Sequence, residues 1–213
     1  MKIIDQSWRW IQKPVLPLEI IELAGRTCYK SEDNITPDSA KNFIQMILKR
    51  GHESVIEHVS ASVKFITNRG VTHELVRHRL CAFSQESTRY VNYNGHGIEF
   101  IKPVWCNDSI TGLYENAVFP NADDLEWEWL MAIKKSEDSY NLLVEFGWRP
   151  EQAREVLPNS LKTEIVVTAN LREWRHIFKL RTSKAAHPQI RELMLGCLKG
   201  FKAEIPVVFN DIA

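Results

Sequence analysis

Apolar and polar positions alternate in two stretches of the chain. From Val59 to Thr67, the residues Val59, Ala61, Val63 and Phe65 alternate with Ser60, Ser62 and Lys64, the period of a half-buried strand. Leu161 to Ala169 is rich in β-branched residues (Thr163, Ile165, Val166, Val167, Thr168) and reads as a second strand. Helical periods cover Pro17 to Cys28, Thr72 to Leu80, Ala122 to Phe146, Pro150 to Leu157, Leu171 to Leu180 and Pro188 to Phe201. Thr36-Pro37-Asp38 supplies a capping hydroxyl and a first-turn proline for another helix, with Phe43, Ile44, Ile47 and Leu48 as its buried stripe and Gly51 as its stop. Thr88 to Tyr93 and Ile98 to Lys102 read as extended, and Trp127 and Trp129 are expected to pack against the rest.

Helices and strands interleave without the strict alternation, or the Gly-rich turn, of a doubly wound nucleotide fold. The expectation is an α+β fold, a mixed or antiparallel sheet flanked by helices, in a single domain spanning residues 1–213.

Hydrophobic residues make up 44% of the chain and charged residues 25%, values that exclude disordered and collagen-like classes. No apolar run approaches the ~20 residues of a membrane span, and the first residues lack the apolar core of a leader, so no membrane partner is expected and the cytoplasm is the expected location. Cys28, Cys81, Cys106 and Cys197 form no CxxC pair, which speaks against disulfides and a cysteine zinc site.

Charge balances at 27 Lys+Arg against 27 Asp+Glu, which weakens any reading as a general nucleic-acid binder. Its distribution is uneven. Between Arg172 and Arg191, six basic residues (Arg172, Arg175, Lys179, Arg181, Lys184, Arg191) meet one acid, Glu173. A second cluster is Arg77, His78, Arg79 and Arg89. Such runs usually coat a solvated face, but arginine dominates here, and its planar fork suits phosphate and carboxylate.

Two histidine pairs, His73 with His78 and His52 with His58, miss the four-residue spacing that stacks both rings on one helix face, so no metal is expected. Cys81 beside the basic cluster could be an activated thiolate, although a lone cysteine is more often inert packing. Arg77 to Tyr90 (RHRLCAFSQESTRY) is denser in chemistry: three arginines, a histidine, two serines, a glutamine and a glutamate within 14 residues. These groups can bind a phosphate and read a base edge.

Arginine, histidine, arginine, seven positions and then Ser87 resembles the signature of the flavin-dependent thymidylate synthases. His52 to His58 is similar to that family's upstream His-Glu segment, Arg154 to Pro158 to its Arg-x-x-Leu-Pro segment, and Asn170-Leu171-Arg172 with Leu180-Arg181 to its C-terminal motif. The blocks run in family order over roughly two thirds of the chain. Ala82, Ser84, Glu74 and His176 depart from residues common in the family.

The resemblance implies methylation of dUMP to dTMP, with 5,10-methylenetetrahydrofolate as carbon donor, NADPH as reductant and FAD as bound cofactor. It implies FAD contacts from Ser54, Arg77, His78, Arg79, Gln85, Asn170, Leu171, Arg172 and His176, with His52 and Glu57 near the flavin. It implies a dUMP pocket of Glu74, Leu75, Val76, Arg77, Gln85, Glu86, Ser87, Thr88, Arg89, Arg154 and Arg181, with Arg181 as the catalytic residue that activates the uracil and no cysteine nucleophile. It also implies a homotetramer with active sites at subunit junctions. The alternatives are a nucleic-acid-binding module, which net neutrality weakens, and a flavoprotein without turnover.

Overall fold

The computed structural model describes residues 1–95 and 97–212. In chain order its elements are β1 (Lys2–Ile4), β2 (Ser7–Gln12), α1 (Pro17–Tyr29), α2 (Ser39–Lys49), β3 (Ser60–Asn68), α3 (Arg69–Leu75), β4 (Ala82–Gln85), β5 (Glu99–Ile101), β6 (Gly112–Leu113), α4 (Asp124–Glu145), α5 (Pro150–Ala153), β7 (Lys162–Asn170), α6 (Leu171–Arg181), α7 (Pro188–Glu204) and α8 (Pro206–Phe209). Short 3-10 turns include Glu53–His58 and Arg154–Val156. The fold is α+β.

A four-stranded sheet has the order β2-β3-β7-β4. The Leu171 N–H donates to the Val59 carbonyl at 2.9 Å and the Arg69 N–H to the Leu161 carbonyl at 3.2 Å, so β3 and β7 run antiparallel. In a three-stranded sheet, β1 pairs parallel with β5 and antiparallel with β6.

The chain folds into two compact units. One comprises Met1–Ser7, Phe65–Arg77 and Ser84–Ile165. Its core gathers Ile3, Ile98, Phe100, Ile110, Leu130, Ile133, Tyr140 and Leu161. Helix α4 starts on a capping box, in which the Asp123 carboxylate accepts from the Glu126 N–H and Glu126 accepts from the Asp123 N–H. Trp129 packs against this core, whereas Trp127 is 43% exposed, contrary to expectation, because it falls on the solvent side of α4.

The other unit comprises Trp8–Lys64, His78–Phe83 and the chain from Val166 onward. Its centre is aromatic: Trp174 stacks on Phe178 at 5.6 Å between centroids, and Phe201 meets Phe178 and Phe209 edge-on at 5.0 Å each. Burying each such side chain is worth about 1.5–3 kcal/mol relative to exposure. The Trp174 indole donates to the Ala61 carbonyl at 3.1 Å, tying α6 to β3. Gly200 lets α7 approach the Trp8 ring so closely that a Cβ there would overlap it.

Three local expectations are corrected. Helix α2 begins at Ser39 rather than at Thr36, because the Ser39 hydroxyl accepts from the Thr36 N–H at 2.9 Å and closes a turn ahead of the helix. Helix α3 covers Arg69–Leu75 and not Thr72 to Leu80: Asn68 Oδ1 accepts from the Val71 N–H at 2.8 Å and starts it early. The chain then leaves the helix and turns at His78 (Cys81 N–H to His78 carbonyl, 3.2 Å) to enter β4. Thr88 to Tyr93 is not a strand, since the Ser87 carbonyl accepts from Tyr90 and Val91 and its hydroxyl from the Arg89 N–H, forming turns.

Candidate functional site

The residues singled out from the sequence fall in both units. In the second unit, Asn170 caps α6 by accepting from the Glu173 N–H at 2.9 Å, which fixes how the first turn of that helix is presented. Beside it lies a cavity of about 670 Å³ lined by Glu53, Glu57, Leu80, Asn170, Arg172, Glu173, His176 and Lys179. Arg172 donates to Glu57 at 2.5 Å, and Lys179 lies 3.6 Å from Glu53. Leu171 is fully buried, its N–H is committed to the Val59 carbonyl and its own carbonyl belongs to the ladder of α6, so it anchors the first turn of the helix. Ser54 and Arg79 expose their side chains.

His78 is buried, 4% exposed. Its Nε2 accepts from Arg181 Nε at 3.0 Å, its Nδ1 lies 3.4 Å from Glu173 Oε1, and its ring meets that of His176 edge-on at 5.6 Å. Burial first, then the charges of Arg181 and His176, depress its pKa to about 4, so the ring is neutral near pH 7. His78, Glu173 and His176 offer ligand atoms within 4.8 Å of one another. A metal on His78 Nδ1 would force the ring proton onto Nε2, against the Arg181 N–H, so this trio is a poor cation site as arranged.

Not every cation in the dense segment faces outward. Arg175 is 3% exposed and grips Asp211 with two bonds of 2.6 Å while also donating to the Val208 carbonyl. Cys81 has its thiol pushed up to about 12 by burial and by Glu173, so it is no thiolate at neutral pH.

In the first unit, Gln85 spends its amide hydrogens on the Thr72 and Thr163 hydroxyls at 3.0 and 3.2 Å. Glu86 accepts from the Tyr93 hydroxyl at 2.8 Å and from Lys162 at 3.1 Å. Arg154 donates to Thr88 at 3.2 Å and lines a cavity of about 350 Å³ with Arg69, His73, Thr88, Asn159 and Leu161. Arg69 Nη1 is buried there without a hydrogen-bond partner. Glu74 and Ser87 are half-buried, Leu75 is in the core, and Val76, Arg77 and Arg89 are exposed, with Arg89 Nε 4.0 Å from Glu151.

The sequence assigns no individual site role to Glu173, Lys179 or Arg69, although Lys179 stands in the basic run. Glu173 was legible only as the sole acid of a basic run. Arg69 carried no motif, and its position follows from the Asn68 cap.

The α+β scaffold carries two polar cavities, one lined by Arg69 and Arg154 and one, close to a buried neutral histidine, lined by Arg172 and Lys179 together with Glu53, Glu57 and Glu173, the surroundings of an enzyme that handles polar ligands. The thymidylate synthase complementing protein family matches residues 11–207. Flavin-dependent thymidylate synthases of Corynebacterium efficiens and Geobacter sulfurreducens are 37% and 33% identical to the chain, over 90% and 92% of its length and 78% and 82% of theirs. The same enzyme of Mycobacterium tuberculosis is 36% identical over 90% of the chain and 78% of its own. The crystal structure of the UMP/dUMP methylase PolB from Streptomyces cacaoi bound with 5-Br dUMP shares the fold, with a TM-score of 0.78 at 22% identity, covering 99% of this chain and 96% of that one. The chain belongs to the flavin-dependent thymidylate synthase family and is an enzyme of that type.

Among the described residues, no helix is long and apolar enough to cross a membrane.

Proposed function

We propose that this chain converts dUMP to dTMP, with 5,10-methylenetetrahydrofolate as carbon donor, NADPH as reductant and bound FAD, and releases tetrahydrofolate. The observation that supports the reading best is Arg181 resting on a buried, neutral His78, whose ring also meets that of His176 at the wall of the cavity. Asn170, Arg172, His176 and Lys179 offer hydrogen-bond donors and positive charge to a dinucleotide around one cavity, whose carboxylates Glu53 and Glu57 hold Lys179 and Arg172, with Ser54, Arg77, His78, Arg79, Gln85 and Leu171 as further contacts. Phosphate oxygens would take over Arg172 from Glu57. Bound FAD supplies the reducing equivalents for the methyl group.

The chain's own residues bind and polarise the pyrimidine. Arg181 commits its Nε–H to His78, and its guanidinium is the cation that uracil N3 and the adjacent carbonyl would meet. A fixed cation there favours the ionised base and makes it reactive without a thiolate. The unpartnered Arg69 Nη1 and Arg154 suit the phosphate of dUMP. Glu74 to Arg77 and Gln85 to Arg89 are the further substrate contacts of this reading, and we place the enzyme in the cytoplasm as a homotetramer with active sites at subunit junctions.

The test is tritium release from dUMP labelled at C5, with FAD, NADPH and methylenetetrahydrofolate omitted in turn. Release that needs all three is expected; none from FAD-saturated protein would overturn the reading. Arg181→Ala is expected to lower turnover far more than FAD affinity, because its contact matters most as charge develops. Near-normal turnover would refute its role.

A further inference from the structure

Glu173 has no part in the roles assigned above. Its position is set by Asn170, which caps its own N–H, and its side chain is 7% exposed. From there Glu173 Oε1 reaches to 3.4 Å from His78 Nδ1, while His78 Nε2 accepts from Arg181 Nε at 3.0 Å. The imidazole is thus set between a carboxylate and a guanidinium.

Glu173 and Arg181 start and end the same helix, about 12 Å apart along its axis, too far for one to touch the other. His78, arriving from the turn ahead of β4, bridges them. A neutral imidazole carries one proton. Since Nε2 accepts from Arg181, that proton is on Nδ1, where it faces Glu173.

We propose that Glu173 is a positioning residue: its carboxylate holds His78 in the Nδ1–H tautomer, and that tautomer fixes the guanidinium of Arg181 for its work on the substrate ring. What Arg181 does there rests on the function proposed above; the chain of contacts does not. A carboxylate that sets the tautomer of a working histidine is a general device, and here the histidine passes its orientation on to an arginine. With an amide in place of Glu173, the charge that attracts the Nδ1 proton is gone. In the rotamer that turns its NH2 to Nδ1, the ring proton is driven to Nε2, opposes the Arg181 N–H and makes the guanidinium swing away.

The experiment compares wild type, Glu173→Gln and the double variant with Arg181→Lys, each FAD-saturated. Misplacing a reacting group by about 1 Å costs on the order of 100-fold in rate, so Glu173→Gln is expected to lose turnover on that order, far more than any change in KM for dUMP or in affinity for FAD, whose cavity Glu173 also lines. In the Arg181→Lys background, Glu173→Gln should have little further effect, since the two act as one unit. Long-range proton–nitrogen NMR on histidine-labelled protein, with His78→Gln to assign the signal, should find the His78 proton on Nδ1 in wild type and on Nε2 in Glu173→Gln.

Three results would overturn the proposal: FAD affinity falling in step with turnover, full additivity with Arg181→Lys, or the proton on Nε2 in wild type. The NMR measurement on wild type needs neither turnover nor a stable variant. Wild type that forms no dTMP yet shows the Nδ1 proton would refute the proposed reaction while supporting the tautomer chain.

Discussion

Lowering the pH should destabilise this protein in measurable part through one buried imidazole. His78 titrates near pH 4 in the folded chain and at its ordinary 6.5 once unfolded. Between those values the unfolded state binds a proton that the folded state refuses, so stability falls as pH falls through this window and is fully present above it. At ~1.4 kcal/mol per pH unit, the loss is about 2 kcal/mol by about pH 5 and about 3 kcal/mol by about pH 4. Arg181, His176 and Glu173 face the ring. Glu173 acts with the opposite sign: burial raises its pKa, so protonating it on the way down relieves part of the loss at the acid end of the window. The assay is urea denaturation at fixed protomer concentration from about pH 8 to about pH 4.5, for wild type and His78→Gln. Wild type should lose about 2 kcal/mol more than the variant over that range. Equal pH slopes for the two proteins would refute the assignment of acid sensitivity to His78.

Cys81→Ala should retain turnover in the tritium-release assay, since a thiol held near pKa 12 is no nucleophile at neutral pH. Gly200→Ala should cost about 1–3 kcal/mol in urea denaturation and change tryptophan fluorescence, because the new methyl overlaps the Trp8 ring. Arg154→Ala should raise KM for dUMP about tenfold or more while leaving FAD affinity intact, as expected when a charge-assisted hydrogen bond to a phosphate is removed. Unchanged KM would remove Arg154 from the substrate pocket.

The longest elements were legible because their signals were local. Alternation along Val59 to Thr67 and the β-branched run from Leu161 mark β3 and β7, and Asn170 ahead of Trp174, Ile177 and Phe178 marks α6. Strand β4 has four residues, too few to show a period, so the sequence between Leu75 and Gln85 reads as more helix than it is. The candidate site was legible as a list of residues and illegible as a set of contacts. Nothing near Arg175 reveals that it turns inward, because Asp211 is supplied 36 positions later. The pairing of His78 with Arg181 likewise joins residues 103 positions apart. Glu173 reads as an ordinary acid in a basic helix until burial is known.

The Arg175–Asp211 clasp reaches beyond its own stability. Arg175 lies on α6 between Arg172 and His176, and its two-pronged grip on the C-terminal segment sets the rotation of that helix about its axis. The end of the chain therefore works as a keel for the ligand-facing side of α6. A screen for loss of activity should score substitutions at Asp211 beside those at Arg172 and His176, although the Asp211 carboxylate is spent on Arg175 and lines no part of that cavity.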